Sequence, residues 1–324
     1  MNIKGEMNMA RIVIALGGNA LQANPKDTTA EAQLVTARQT SGAIVDLIEE
    51  GHEVIVAHGN GPQVGQLVAT YEAAAFINQN NPIMPFPECG AMSQGYIGYH
   101  LQQSIRAEMR SRGITKEVAT VITQVIVGQN DPGFKNPTKP VGSFFTEEQA
   151  KKLIIEKGYT MKEDSNRGWR RVVASPLPKA IVEESIIKTL VEAGHVVITV
   201  GGGGIPVIDK GNGNLQGVSA VIDKDFASGK IAELLNADAL VVLTAVEQVS
   251  INFGKSNQKN LSSVTVKEAK TYIEEGHFAP GSMLPKIRAA LIFVEAKEGR
   301  KAIITSLEKA REAISGTAGT VIIN

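Results

Sequence analysis

Short glycine clusters follow apolar runs at three places in the sequence, and a backbone of this kind can hold an anion. The clusters are Gly17-Gly18-Asn19, Gly59-Asn60-Gly61 and the four glycines at 201–204. Glycine lets backbone N–H groups approach an anion closely, and a helix that begins just beyond adds partial positive charge. One such loop is explained equally well by a tight turn, but three in one chain predict a ligand with several anionic groups.

Three lysines stand where such a ligand could use their charge. Lys139 lies in a turn-rich segment, Lys224 lies between Asp223 and Asp225, and Lys286 follows a proline at a predicted helix start. A lysine in the first turn of a helix is unfavourable, because its charge opposes the helix dipole. A bound anion beside Lys286 would explain its position there. The alternative for each lysine is an ordinary solvated surface charge.

The two aspartates beside Lys224 have two possible roles. They could orient that lysine or hold a metal-bound nucleotide, since Mg²⁺ is usually shared between a few carboxylates and phosphates. Alternatively, Asp225 could be the N-cap of a helix predicted from Ala227, and both roles can hold together.

The five histidines form no H-x-x-x-H pair, and Cys89 is the only cysteine. We therefore predict no metal centre built from side chains, and we interpret Cys89 as buried and inert.

Several common enzyme classes are disfavoured by missing motifs. The pattern G-x-x-x-x-G-K-[ST] of P-loop enzymes is absent, and the glycines at 17–18 and 59–65 lack the spacing of a dinucleotide site. Hydrolysis by a Ser-His-Asp triad lacks its nucleophile elbow. A phosphate-handling site of another kind fits better than a dehydrogenase or a hydrolase.

The elements that must position these residues alternate between buried strands and helices. Continuous apolar runs predict strands buried on both faces of a parallel sheet, at 12–16, 54–57, 196–200, 240–243 and 302–304. Helices are predicted at 31–50, 91–110, 179–193, 227–236 and 285–296. This alternation predicts an α/β fold with an open, mostly parallel sheet, in which ligands bind at the carboxyl ends of strands.

One segment interrupts the alternation. Residues 129–140 are dense in turn formers, a capping box begins at Thr146, and the only tryptophan is Trp169. The stretch 127–175 is too long for an ordinary connection. We predict that it forms an inserted subdomain.

Composition bounds the partners of the protein. The 324 residues include 33 Lys and Arg against 33 Asp and Glu, so the net charge is zero, and 43% are hydrophobic. This balance predicts a folded protein that does not bind nucleic acid, which requires a basic excess. There is no apolar stretch of about 18 residues and no apolar leader. We therefore expect no membrane association and a cytoplasmic location.

With these residues in view, the chain resembles the carbamate kinases of the amino-acid kinase superfamily. The resemblance runs from about Arg11 to the C-terminus, and the Thr138-Lys139-Pro140 and Gly281-Ser282-Met283 motifs are specific to carbamate kinases. The matching segments lie, in order, at 15–21, 59–65, 89–99, 136–142, 168–176, 201–206, 220–225 and 276–286.

The resemblance implies a fold and a division of the chain. The fold is a three-layer αβα sandwich around a largely parallel sheet of about eight strands. Residues 9–324 would form the amino-acid kinase domain. Within it, about 9–210 would bind carbamate and the phosphoryl group, about 211–324 would bind nucleotide, and the subdomain at 127–175 would protrude over the active site.

The resemblance also implies a reaction, reversible phosphoryl transfer between ATP and carbamate to give ADP and carbamoyl phosphate. It implies a cytoplasmic homodimer that uses Mg²⁺ and makes ATP in arginine or in purine and allantoin catabolism. The catalytic residues would be Lys139, Lys224, Asp223, Asp225 and Lys286. Substrate and phosphate would be held by Gly17, Gly18, Asn19, Gly59, Asn60 and Gly61. Nucleotide would be held by Gly202, Gly203, Thr244, Ala245 and Met283.

The sequence departs from the family at two positions near the expected nucleotide. Ala245 and Ser250 stand where carbamate kinases commonly have Asp and Tyr, which leaves nucleotide affinity open. Ala15 stands where many amino-acid kinases have a lysine. Carbamate kinases also lack this lysine, and the resemblance implies that Lys139 substitutes for it. Two alternatives are a kinase acting on a carboxylate such as acetylglutamate and a non-catalytic nucleotide sensor. The carbamate-kinase motifs disfavour the first, and the retained lysines and aspartates disfavour the second.

Overall fold

The computed structural model describes residues 9–24, 27–164 and 168–324, apart from the side chains of Asn19 and Ser143. Its strands are β1 (Arg11–Leu16), β2 (Glu53–His58), β3 (Val118–Thr120), β4 (Gln124–Val127), β5 (Lys139–Phe145), β6 (Met161–Glu163), β7 (Trp169–Val173), β8 (Pro178–Ile181), β9 (Val196–Ile198), β10 (Ile205–Asp209), β11 (Leu215–Gly217), β12 (Ala239–Leu243), β13 (Val249–Ile251), β14 (Lys259–Leu261), β15 (Ser263–Thr265), β16 (Lys301–Thr305) and β17 (Thr320–Ile323). Its helices are α1 (Ala30–Glu49), α2 (Gly61–Ile77), α3 (Phe86–Ser111), α4 (Glu147–Lys157), α5 (Glu184–Glu192), α6 (Lys224–Leu234), α7 (Val266–Glu274), α8 (Met283–Glu295) and α9 (Ala310–Ile314).

A central sheet of eight strands organises the fold, in the order β15-β17-β16-β12-β1-β2-β9-β3. Each neighbouring pair is parallel except β16 with β17. Side chains of β1 alternate between two cores, with Val13 in one and Ile12 and Ile14 in the other. Because both faces of the sheet are buried, its strands are continuously apolar, and the predicted α/β fold is confirmed.

The predicted strands and helices agree with the structure at the central sheet and agree less closely elsewhere. All five predicted strands belong to the central sheet, although β9 ends at Ile198 rather than at 200. The helix predicted from 179 begins only at Glu184, because residues 178–181 form β8, which pairs antiparallel with β4. The sequence predicts a helix start just beyond Gly59-Asn60-Gly61 but not the extent of α2 to Ile77. In the part of the chain that the structure describes, no helix is long and apolar enough to cross a membrane.

A separate three-stranded sheet, in the order β5-β7-β6, carries Lys139 at its first residue. The capping box predicted at Thr146 is present and begins α4, which follows β5. This sheet is seated on α2 through a close backbone contact, since a Cβ on Gly65 would lie 2.4 Å from Gly142 Cα. Val141 of β5 and Val173 of β7 join a small apolar cluster with Val64 of α2. In this structure β5 therefore packs directly against α2. The domain boundaries proposed from the sequence stay predictions.

Candidate active site

A cavity of about 300 Å³ lies where the glycine loops, Lys139 and the start of α6 meet. The loops that follow β1, β2 and β9 reach it because these strands are neighbours in the sheet and parallel, so their carboxyl ends share an edge. Its wall includes eight of the residues that the sequence singled out or that adjoin them: Gly18, Gly59, Asn60, Gly61, Lys139, Gly202, Lys224 and Gly281.

The loops touch one another around this cavity. Gly202 has a φ of +66°, and a Cβ there would lie 2.1 Å from Asn60 Nδ2, so only glycine fits against that amide. A Cβ on Gly59 would lie 3.4 Å from Lys224 Cδ, which places the lysine stem directly beside the second loop. The glycine loops and the stem of Lys224 are therefore closely packed around the cavity.

Asp225 joins two of the predicted lysines. Its Oδ1 accepts a hydrogen bond from Lys224 Nζ at 2.6 Å, and its Oδ2 accepts one from Lys286 Nζ at 2.8 Å. Asp225 is buried, and each lysine side chain is only 13% exposed. Lys286 is the fourth residue of α8, so this carboxylate links the N-terminal turns of α6 and α8.

Burial and ion pairing shift the pKa values of Asp225 and Lys224 in opposite directions. Burial alone raises the pKa of the Asp225 carboxyl, but Lys224 and Lys286 more than reverse that effect and hold the pKa well below its usual range. Burial lowers the pKa of Lys224; Asp225 opposes this and repulsion from Lys286 adds to it. The carboxylate is ionised at neutral pH, and the second ammonium group leaves excess positive charge beside the cavity.

Asp223 has a different role from its neighbour. It is the N-cap of α6, and its Oδ1 accepts from the Asp225 backbone N–H at 2.9 Å. Its Oδ2 accepts from Lys139 Nζ at 2.7 Å. The possibility that Asp225 caps a helix from Ala227 is therefore wrong, because α6 begins three residues earlier at Lys224. Across the three lysines and two aspartates, one positive charge is left over for an anion.

Two buried side chains of α3 support the loops, and sequence reasoning assigned no role to either. Ser93 Oγ accepts from Asn60 Nδ2 at 2.8 Å, and Gln94 hydrogen-bonds both the N–H and the carbonyl of Thr123. Thr123 Oγ1 in turn accepts from the N–H of Val200, which has a φ of +44° just before the glycine run. The only signal in the sequence was that both lie in the matched segment 89–99.

His58 lies behind the loops rather than in the cavity. Burial lowers its pKa to about 4, an effect that the hydrogen bond to Gly59 opposes, so the ring is neutral at pH 7. Its Nδ1 donates to the Gly59 carbonyl at 2.9 Å. The ring therefore supports the second loop, and its position away from the cavity wall does not suit a catalytic base.

The remaining predicted residues are placed as follows. Gly17 and Gly203 belong to their loops but do not line the cavity. Thr244 and Ala245 follow β12, where the Thr244 N–H donates to Thr305 of β16, and Met283 begins α8. The side chain of Asn19 lies outside the described residues, although its backbone continues the first loop. Ser250 Oγ is used inside the β13–β14 pair, where it donates to Asn260.

Two charged residues of the segment 127–175, Asp164 and Arg170, also line the cavity, and neither was predicted as a site residue. They pair with each other at 3.2 Å, and Arg170 also donates to the Gly142 carbonyl. Among the described residues, no three His, Cys, Asp or Glu side chains are grouped so that they could hold a metal ion.

Known proteins resemble this chain over nearly its whole length. The amino acid kinase family matches residues 10–306. A carbamate kinase of Clostridium perfringens strain 13 is 58% identical over 313 residues, which cover 97% of this chain and 99% of the relative. The carbamate kinase-like protein YqeA of Escherichia coli K12 is 58% identical over 312 residues, 96% of this chain and 98% of the relative. The solved structure of carbamate kinase from Giardia lamblia bound to AMP-PNP is 41% identical, with a TM-score of 0.88 and coverage of 98% and 99%.

Proposed function

The chain belongs to the amino acid kinase family, and from that premise we propose that it is a carbamate kinase. It would transfer a phosphoryl group reversibly between ATP and carbamate, with ADP and carbamoyl phosphate as the other pair. The observation that carries the proposal is the cluster of Lys139, Lys224 and Lys286 around two carboxylates beside glycine loops. Relatives named carbamate kinase at 50–58% identity support the choice of acceptor.

The chemistry of carbamate suits a site without a positioned base. Carbamate already carries an anionic oxygen, so no proton must be removed before it attacks the phosphorus. Catalysis can then rest on positioning and on neutralising charge as the phosphoryl group moves in line between two oxygens. A site made of backbone amides and ammonium groups provides both.

Each group of residues has a place in this scheme. Gly17, Gly18 and Asn19 would cradle the transferring phosphoryl group, and Gly59, Asn60 and Gly61 would hold the carbamoyl end. Lys139 and Lys224 would neutralise the transferring group, while Lys286 would contact the nucleotide phosphates. Asp225 would keep Lys224 and Lys286 aimed at the cavity, and Asp223 would hold Lys139 until phosphate arrives. The nucleotide would be held by Gly202, Gly203, Thr244, Ala245 and Met283.

Magnesium would enter as part of the substrate, as the metal–nucleotide complex. Both oxygens of Asp225 already accept lysine hydrogen bonds, and those of Asp223 accept from Lys139 and the α6 backbone. Each of these carboxylate oxygens already accepts a hydrogen bond, so a resident ion would compete with the cluster, and the phosphates would provide most of its protein-independent ligands.

A coupled assay tests the proposal directly. Incubated with ADP and carbamoyl phosphate, the protein should form ATP, and a hexokinase-linked readout would record it. Phosphorylation of acetylglutamate without activity on carbamoyl phosphate would favour another amino-acid kinase. Nucleotide binding without turnover of either substrate would favour a sensor.

We further propose a homodimer that works in the cytoplasm and makes ATP from carbamoyl phosphate in arginine or in purine and allantoin catabolism. These statements rest on the family resemblance. Sedimentation velocity would test the dimer, and growth of a deletion strain on each nitrogen source would test the pathway.

The subdomain that carries Lys139 should move as a lid. Glu72 of α2 accepts hydrogen bonds from Tyr159, from Lys157 at 3.2 Å and from Arg171 at 3.2 Å, and Arg171 stacks on Tyr159. Glu72→Gln should weaken these contacts between α2 and residues 127–175, so amide exchange in 127–175 should be faster than in the wild type. Exchange in this segment should slow when AMP-PNP binds. Exchange measured by mass spectrometry checks both effects.

A matched control is Glu117→Gln, which removes a carboxylate paired with Arg106 and Arg110 outside the subdomain. It should leave exchange in 127–175 unchanged. Identical exchange in the wild type with and without AMP-PNP would contradict the lid.

A further inference from the structure

The amide of Asn60 is held in one orientation by the helix behind it. Asn60 is 6% exposed and lines the cavity, and its Nδ2 donates to Ser93 Oγ of α3 at 2.8 Å. Ser93 is fully buried, and its own hydroxyl donates to the Gly90 carbonyl at 2.7 Å. A side chain that touches the cavity is thus tied to a buried hydroxyl.

The hydroxyl hydrogen of Ser93 determines the orientation of the Asn60 side-chain amide. A serine hydroxyl has one hydrogen, and here Gly90 accepts it, so toward Asn60 the oxygen can only accept. The two ends of an amide are told apart by such a network. Nδ2 must therefore face Ser93, which leaves Oδ1 as the unused end. Gly202 packs against the same amide, at 2.1 Å from Nδ2 to a Cβ placed there, and hinders its rotation.

We propose that Ser93 is a positioning residue that presents Asn60 Oδ1 to the cavity as a hydrogen-bond acceptor, and so selects a substrate that carries an N–H group on the carbon that bears its phosphorylated oxygen. The inference rests on the proposed function. In the described residues no protein group donates to Asn60 Oδ1, so the acceptor is available to a ligand.

The amino group is what distinguishes carbamate from its nearest isosteres. Carbamoyl phosphate has an NH₂ group where acetyl phosphate has a methyl group of similar size. A pocket that must reject such an isostere by shape alone discriminates weakly, but a pocket with a fixed acceptor leaves that acceptor unpaired against a methyl group. A freely turning amide would instead offer either end and discriminate less.

The test compares two substrates in the direction of ATP formation, with saturating ADP. The readout is the ratio of kcat/KM for carbamoyl phosphate to kcat/KM for acetyl phosphate. Ser93→Ala should lower this ratio about tenfold, the effect of one neutral hydrogen bond, through a loss with carbamoyl phosphate. Acetyl phosphate should be affected little, because its methyl group does not use the acceptor.

Ser104→Ala is the matched control. Ser104 is also a buried serine of α3, but its hydroxyl has no hydrogen-bond partner among the residues that the structure describes. This variant removes the same atom from the same helix and should keep the wild-type ratio. If circular dichroism finds Ser93→Ala unfolded, Ser93→Cys carries the test, because a thiol of similar size accepts hydrogen bonds only weakly.

The outcomes separate this inference from the function on which it rests. An equal loss with both phosphates in Ser93→Ala, or an unchanged ratio, would overturn the inference and leave a carbamate kinase. A wild-type protein that forms no ATP from carbamoyl phosphate would overturn the proposed function and the inference together.

Discussion

Replacing Lys224 by alanine should lower kcat by at least ~10², and replacing Lys139 should have an effect of the same size, each a loss of ~3 kcal/mol in the transition state. Both lysines line the cavity. In the proposed reaction, charge develops there on the transferring phosphoryl group. Steady-state rates of ATP formation from carbamoyl phosphate would measure the loss, and kcat should fall more than KM rises.

The fold should tolerate the Lys224 change, since Asp225 keeps Lys286 as its partner at 2.8 Å. Lys230→Ala is a control on the same helix, because Lys230 pairs with Glu233 and does not line the cavity. It should keep nearly the wild-type rate. Turnover near that of the wild type in Lys224→Ala or in Lys139→Ala would remove that lysine from the mechanism.

Replacing Asp225 by asparagine should lower the free energy of unfolding by about 3–5 kcal/mol, because two largely buried ammonium groups would lose their shared carboxylate. Urea denaturation measures this loss. The folded pKa of Asp225 lies below the ordinary carboxyl value. Its stabilising contribution is therefore present above roughly pH 4 and is lost as the pH falls below that. Asp209→Asn, at the exposed end of β10, is a control that should change stability little.

A double-mutant cycle shows whether the loss comes from the pairing. Lys286→Ala removes one of the two ammonium groups, so Asp225→Asn should cost less in that background than in the wild type. Additive losses would mean that the carboxylate and Lys286 do not interact, against the 2.8 Å contact.

The central sheet was predictable because its signal is local. Residues 12–16 and 240–243 are continuously apolar, and only burial on both faces explains such a run. Helix α2 gave no comparable signal. It begins at Gly61-Pro62 and much of its surface is exposed, so the apolar periodicity that marks a half-buried helix is weak.

The partners within the site were harder to predict than its members. Lys139 and Asp223 are 84 positions apart, and Lys286 and Asp225 are 61 apart, so spacing carries no information about either pair. The same limit hid Ser93, which is an ordinary helical serine until the fold brings it to Asn60. Residue types revealed the chemistry, and tertiary contacts assigned the pairs.

Val200 has a consequence for the thermodynamics of binding. A β-branched residue at a φ of +44° is strained, by about 1–3 kcal/mol, and persists only where its surroundings hold it. Here buried hydrogen bonds from elsewhere in the protein, through Thr123 and Gln94, hold Val200 in this conformation. The conformational entropy of the glycine run is therefore lost during folding rather than at association. A phosphate-bearing ligand should meet a formed loop, and calorimetry should record little ordering entropy from this part of the chain.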